Sequence, residues 1–185
     1  PRVSDSGFIA ARQWVTAEKK LPGNHPVPFY WELKANPAGP SQFNGYCAVA
    51  AQAQLDAPGD TYDSGENPVY RGSLGYRGSG DVWGNDGDNL GSYTAYGAGD
   101  IVMMAFDPTT GGLWVGLNGT WKTDPDSGPP NEISNAPGSD FWTFVQGREP
   151  DEGGTLRSLP GQFSYAVPSS CIALGESLGI ADGVA

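Results

Sequence analysis

With 185 residues, the chain is long enough for one domain with a full core, and two domains would be cramped. It holds 28 glycines and 16 prolines, yet its aromatic fraction of 11% argues against disorder from lack of apolar surface. The formal net charge of −11, with only ten scattered Lys and Arg, argues against binding to nucleic acid or to an anionic membrane surface. The acidity reads as a solubility device suited to a salty medium, or as a surface that steers cations. No apolar run reaches 18 residues, so no membrane-spanning helix is predicted. The chain starts at Pro1 without Met, and a segment of a larger protein is expected.

In chain order, Phe8 to Val15 is compatible with a strand or a short helix. Leu21 to Pro28 carries three prolines and predicts an extended connector. Phe29 to Ala35 alternates apolar and polar residues, the pattern of a half-buried strand. Gly45 to Gln54 predicts the next strand, after a Pro/Gly loop over Asn36 to Asn44. Asp56 to Gly75 reads as a long surface loop. Leu74 to Arg77 and Asp81 to Trp83 are short strand candidates, and Gly84 to Asn89 is a turn cluster. Two apolar runs, Ile101 to Phe106 and Leu113 to Leu117, flank the turn Asp107-Pro108-Thr109-Thr110-Gly111-Gly112. Asn118-Gly119 follows, and Asn-Gly between extended segments predicts a type I′ hairpin turn, which needs positive φ at both residues. Lys122 to Asp140 carries four prolines and reads as an insertion-like loop. Phe141 to Gln146 alternates as a strand, and Gly147 to Gly154 reads as a charged turn. Gly161 to Tyr165 and Ile172 to Leu174 are the last extended pieces. Many short strands between Gly, Pro, Asn and Asp clusters predict an all-β fold.

Catalytic chemistry finds little support. A glucanase-like site needs carboxylates at alternating strand positions facing one cleft. Glu149-Pro150-Asp151-Glu152 has the wrong spacing and reads as a solvated turn, while Glu32 stands alone on its strand and reads as structural. Nucleophilic catalysis needs a base beside Ser or Cys. The single histidine, His25, lies in a Pro-flanked loop. Gly72-Ser73-Leu74-Gly75 and Gly78-Ser79-Gly80 both miss the spacing of a nucleophile elbow. Cys47 and Cys171 read as buried strand residues, either free or joined to each other. Asp81, Asn85, Asp86, Asp88 and Asn89 supply hard oxygen ligands between glycines, so calcium is an open candidate on Asp81, Asp86 and Asp88. The spacing is not that of an EF-hand, and Asx-rich turns occur without metal. No other cofactor is expected.

Six tryptophans and eight tyrosines serve the core first; Trp31 and Trp114 are assigned to core or half-core positions. Aromatic side chains beside Asn and Asp near loops are also what a sugar or protein contact uses. The binding candidates are therefore Tyr62, Tyr70, Trp83, Asp86, Asp88, Asn89, Trp121 and Trp142.

Several stretches carry a family likeness. Tyr30-Trp31-Glu32-Leu33, the strand Gly45 to Ala50, Tyr96-Gly97-Ala98-Gly99-Asp100, and above all Asp100 to Gly119 resemble SPRY (B30.2-like) domains. The closing segment, Phe163 to Leu174, is similar to SPRY modules of tailed-bacteriophage virion proteins, except that Ser169 or Ser170 stands where a glycine is usual. The resemblance implies a concanavalin-like, jelly-roll-like β-sandwich of two antiparallel sheets over residues 29–174. Residues 1–28 would then form an arm or first strand plus connector, and 175–185 a tail. It also implies a non-catalytic binding or structural module at a virion surface, as capsid decoration or tail fibre, contacting other virion proteins or host glycan. A cellular SPRY adaptor that recognises a peptide, and a carbohydrate-active β-sandwich enzyme, are the alternatives.

Overall fold

A computed structural model describes residues 20–37, 46–51, 73–84, 88–146 and 152–176. Within them lie thirteen strands and one short 3-10 turn, with no α-helix among the described residues. The strands are β1 (Lys20–Leu21), β2 (Phe29–Pro37), β3 (Tyr46–Ala51), β4 (Leu74–Arg77), β5 (Asp81–Gly84) and β6 (Asp88–Ser92). Next come β7 (Ile101–Asp107), β8 (Gly112–Leu117), β9 (Thr120–Trp121), β10 (Glu132–Ile133), β11 (Phe141–Gln146), β12 (Glu152–Arg157) and β13 (Ile172–Ala173). They form two sheets. Sheet A has the order β1-β11-β3-β4-β5-β6, and sheet B has β10-β8-β7-β2-β12, with β9 beside β8 and β13 beside β2. Among the described residues every pairing is antiparallel except the two-residue contact of β13 with β2.

The sandwich core lies between the sheets. From sheet B it takes Phe29, Trp31, Leu33 and Ala35, then Val102, Met104 and Phe106, and Leu113 and Val115. Sheet A contributes Cys47, Val49, Leu74, Tyr76, Val82 and Phe141. These are alternate residues of their strands, as a pleat with a period of two requires. The residues between them in sheet B, Tyr30, Met103, Ala105 and Trp114, form a second buried cluster on the outer face, joined there by Cys171. So β2 is buried on both faces rather than on one. The reason lies far along the chain: the segment after β12 crosses back over sheet B and covers it with Phe163, Tyr165 and Val167.

The hairpin from Gly99 to Trp121 forms as its residues predict. Asn118 and Gly119 have φ of 50° and 85°, the signature of a type I′ turn. The Asn118 side chain also ties the hairpin's open end: its amide donates to Asp100 at 2.8 Å, and its carbonyl accepts the Ile101 N–H at 2.9 Å. At the other end Asp107 accepts the Thr109 N–H and the Thr110 hydroxyl, closing the turn through Gly111. The Gly-Asp, Phe-Asp and Asn-Gly signatures are thus hydrogen-bonded ends of β7 and β8.

Four expectations need correction. Glu152, Gly153 and Gly154 open β12 opposite Pro37, Asn36 and Ala35, so the charged turn ends sooner than predicted. Asp88 and Asn89 begin β6 instead of closing a turn. The loop from Lys122 to Asp140 contains β10, which pairs with β8. Gly161 to Tyr165 is no strand: Pro160–Gln162 is a 3-10 turn, and Phe163 onward runs without a ladder because a carboxylate takes the place of a neighbouring strand. Cys47 and Cys171 are both free, since Cys47 faces the inter-sheet core while Cys171 lies in the outer cluster of sheet B. Phe8 to Val15 lies outside the described residues, as does most of Asp56 to Gly75.

Candidate interaction surfaces

Glu32 is the only buried charged residue among the described ones. Position 32 follows Trp31 on β2, so its side chain leaves the sandwich core and enters the outer face of sheet B. There it accepts the Tyr30 hydroxyl at 2.9 Å, the Ser164 N–H at 2.8 Å and the Tyr165 N–H at 2.8 Å. The guanidinium of Arg157, directly opposite in β12, stands 3.4 Å away and also donates to the Ser164 hydroxyl. A carboxylate in such a place must be saturated, because an unpaired buried charge is costly. Both oxygens are in use, so Glu32 is an anchor with a structural role. Burial of Tyr30, together with its bond to Glu32, pushes the phenol well above its usual range.

A second carboxylate does the same at the surface. Asp126 is exposed, and its two oxygens accept the N–H groups of Ser169 and Ser170 at 2.9 and 2.7 Å. Those bonds to the charged form lower its pKa to about 2. Nearby, Trp114 donates its indole N–H to the Gly128 carbonyl at 3.1 Å, so the 122–131 loop closes over the same tryptophan that the returning segment flanks.

At the side of the sandwich, Tyr93, just after β6, donates to Glu132 of β10 at 2.6 Å, joining the edges of the two sheets. Lys122 places its Nζ 5.3 Å from the centre of the Tyr93 ring. Burial raises the Glu132 carboxyl above the usual range, with the Tyr93 hydrogen bond pulling the other way.

The sequence candidates do not converge on one patch. Trp83 and Asn89 are register partners on β5 and β6, beside a bulge in sheet A. Asn89 is exposed and Trp83 half-buried, with an indole N–H that is buried without an acceptor. Val82 fills the core, so Trp83 and Asp81, on either side of it, belong to the opposite face of sheet A. Trp121 lies across the molecule, in the outer cluster of sheet B, with its ring edge-on to Tyr30 at 6.0 Å. Asp88 stands opposite Gly84, and Trp142 opposite both Ala50 and Lys20. Tyr62, Tyr70 and Asp86 lie outside the described residues.

Of the calcium candidates, Asp81 has each oxygen taken by a hydroxyl, Ser92 at 3.0 Å and Ser79 at 2.9 Å. Among the described residues no three His, Cys, Asp or Glu side chains gather as metal ligands. His25 turns its ring to its own loop, 2.7 Å from the Val27 carbonyl. Burial pushes the thiols up, to about 12 for Cys47 and about 11 for Cys171, the reverse of an activated nucleophile. No helix among the described residues is long and apolar enough to cross a membrane.

Sequence reasoning missed the partners of Glu32 and Asp126. The signal for Glu32 was present: a carboxylate directly between Trp31 and Leu33, on a strand whose polar face begins with Tyr30, needs donors. Those donors lie at 157 and 164–165, beyond any local pattern.

No protein-family model matches this chain, and no curated protein does. Its fold does match solved structures. The SPRY domain of human HERC1 superposes with a TM-score of 0.56 at 12% identity, over 80% of this chain and 82% of that one. A second human SPRY domain matches with a TM-score of 0.46 at 17% identity, over 80% and 87% of the two chains. The superposition on the HERC1 domain shows the fold to be that of a SPRY-type β-sandwich.

Proposed function

We propose that this chain is a non-catalytic protein-interaction module built on the SPRY-type sandwich, recognising a segment of a partner protein through the loops and the outward face of sheet A. The observation that carries this reading is Trp83. It is a half-buried aromatic residue on the non-core face of sheet A, beside exposed Asn89, and its indole N–H has no acceptor. An indole and a carboxamide at adjacent register positions supply apolar area and oriented hydrogen bonds, the combination protein contacts favour. The exposed part of the Trp83 ring would supply the apolar area and the Asn89 carboxamide the hydrogen bonds, while the buried indole N–H stays inside the protein. Tyr62, Tyr70, Asp86, Asp88 and Trp142 extend this proposed contact set. Trp121 contributes to packing against Tyr30 instead.

A cellular adaptor and a virion component both suit such a module. The virion setting rests on the resemblance of Phe163 to Leu174 to phage proteins, and the adaptor setting on the fold of human HERC1's SPRY domain. The test is selection of binding peptides from a random display library against the full chain, followed by titration. Micromolar peptides that lose at least tenfold affinity on Trp83→Ala, with an unchanged melting temperature, support the reading. Recovery of no peptide, alongside saturable binding on a glycan array, would replace it with a lectin.

A further inference from the structure

The segment that covers sheet B is attached in an unusual way. At its start, the Pro160–Gln162 turn is fixed by Gln162, whose side-chain carbonyl accepts the Ser158 and Leu159 N–H groups. At its end, Ile172 and Leu174 donate to the Pro28 and Tyr30 carbonyls, and β13 locks onto β2. Between these fixed ends, residues 163–170 make no backbone-to-backbone bond to either sheet among the described residues. Four of their N–H groups reach the body of the protein, and all four end on a carboxylate: Ser164 and Tyr165 on Glu32, Ser169 and Ser170 on Asp126. The remaining attachments are the Arg157 guanidinium, which donates to the Ser164 hydroxyl, and apolar contacts: Phe163 edge-on to Tyr30 at 4.9 Å, and Tyr165 and Val167 in the outer cluster.

We infer that residues 163–170 are a latched strap that opens as one unit while both sheets stay folded, uncovering an apolar surface of Tyr30, Met103 and Trp114. Three features of the geometry support this. A ladder strand cannot leave without exposing a row of amides on its neighbour, but lifting this strap leaves every hydrogen bond of sheet B in place. Its two latches, on Glu32 and Asp126, are joined by a segment with no backbone bond to the sheets among the described residues, so the strap leaves only when both release. The face beneath is apolar and stays buried while the latches hold, with Trp114 keeping 8% exposure. Regions held by few backbone bonds lie at the low-stability end of a fold, where switching elements are drawn from.

The test is native-state hydrogen exchange on the full chain, read at single residues, for the wild type and Asp126→Ala. Asp126 is exposed, so its removal leaves the core intact. The expected result is a common, faster opening of Ser164, Tyr165, Ser169 and Ser170 than of Met103 and Met104 in β7. In Asp126→Ala, all four strap amides should accelerate by about tenfold or more, the loss expected for charge-assisted bonds, with β7 unchanged. Glu32→Gln, if it folds, should accelerate the same four. The inference is overturned if the strap amides exchange only together with β7. It is equally overturned if Asp126→Ala accelerates Ser169 and Ser170 alone, since the strap is then two separate contacts.

Discussion

The two faces of sheet B are buried almost equally and held by opposite means. On the inner face, Trp31, Met104 and Val115 pack against sheet A, and the core side chains that sheet B places there are apolar. On the outer face, Tyr30, Met103 and Trp114 pack under a segment whose backbone amides end on Glu32 and Asp126. Trp31 and Glu32 are adjacent in sequence and both fully buried, one on each face. Their difference teaches how this sandwich uses a double-sided strand. Apolar surface builds the fold between the sheets, whereas a carboxylate and the amides it collects decide where the closing segment lies.

The sharpest way to break this contrast is on the inner face. Trp31→Ala removes the largest fully buried side chain of the core, and a loss of about 3–5 kcal/mol is expected, measured by urea denaturation. The transition should stay cooperative, because both sheets depend on that contact. Glu32→Ala should cost somewhat less, about 2–4 kcal/mol, since it leaves the Ser164 and Tyr165 amides and the Tyr30 hydroxyl without their acceptor and takes the carboxylate from Arg157. Its mark would be local: rapid proteolysis within 163–170 before the sandwich melts. A cooperative loss with no strap-specific cleavage would erase the distinction between the faces.

Next in size is Gly119→Ala. Gly119 has φ of 85°, and a Cβ there would stand 2.7 Å from the Tyr165 ring. The substitution sets a left-handed conformation and a strap contact against each other, and about 1–2 kcal/mol is expected in thermal unfolding. Loosened Tyr165 packing would also lower strap protection, whereas a purely conformational penalty would leave it unchanged.

How much of this was legible follows the same division. The hairpin from Gly99 to Trp121, β2 and β11 could be read locally, because alternation and an Asn-Gly turn are short-range signals. The inner face followed from them, as did Trp31 in the core. The outer face could not be read, since its components are separated in sequence by more than a hundred residues: Tyr30 and Glu32 at one end, Arg157, Ser164 and Tyr165 at the other. Trp114 was assigned to the core with no means of choosing a face, and Trp121, named as a binding candidate, lies in packing because the strap is there to pack with. Trp83 and Asn89 were singled out by composition beside a turn. Their placement side by side depends on a bulge between Val82 and Trp83, which no residue pattern announces.

The smallest effect comes from two carboxylates with opposite signs. Asp126 has a folded pKa lowered to about 2 by the Ser169 and Ser170 amides. Its contribution is therefore fully present above the ordinary aspartate range near 4 and is lost as pH falls toward 2. Glu132 is shifted the other way, because burial beside Tyr93 disfavours its charge. Folding favours its protonated form, so its contribution is present below the ordinary glutamate range and fades as pH rises through the raised folded value. Asp126→Asn should accordingly weaken the protein at neutral pH and flatten its acid limb, while Glu132→Gln should strengthen it slightly at neutral pH, by less than about 1 kcal/mol given the partial exposure. Urea midpoints between pH 2 and 8 separate the two. If both variants shift the midpoint in the same direction at neutral pH, the strap latch and the sheet-edge bond are not the independent electrostatic elements that their geometry describes.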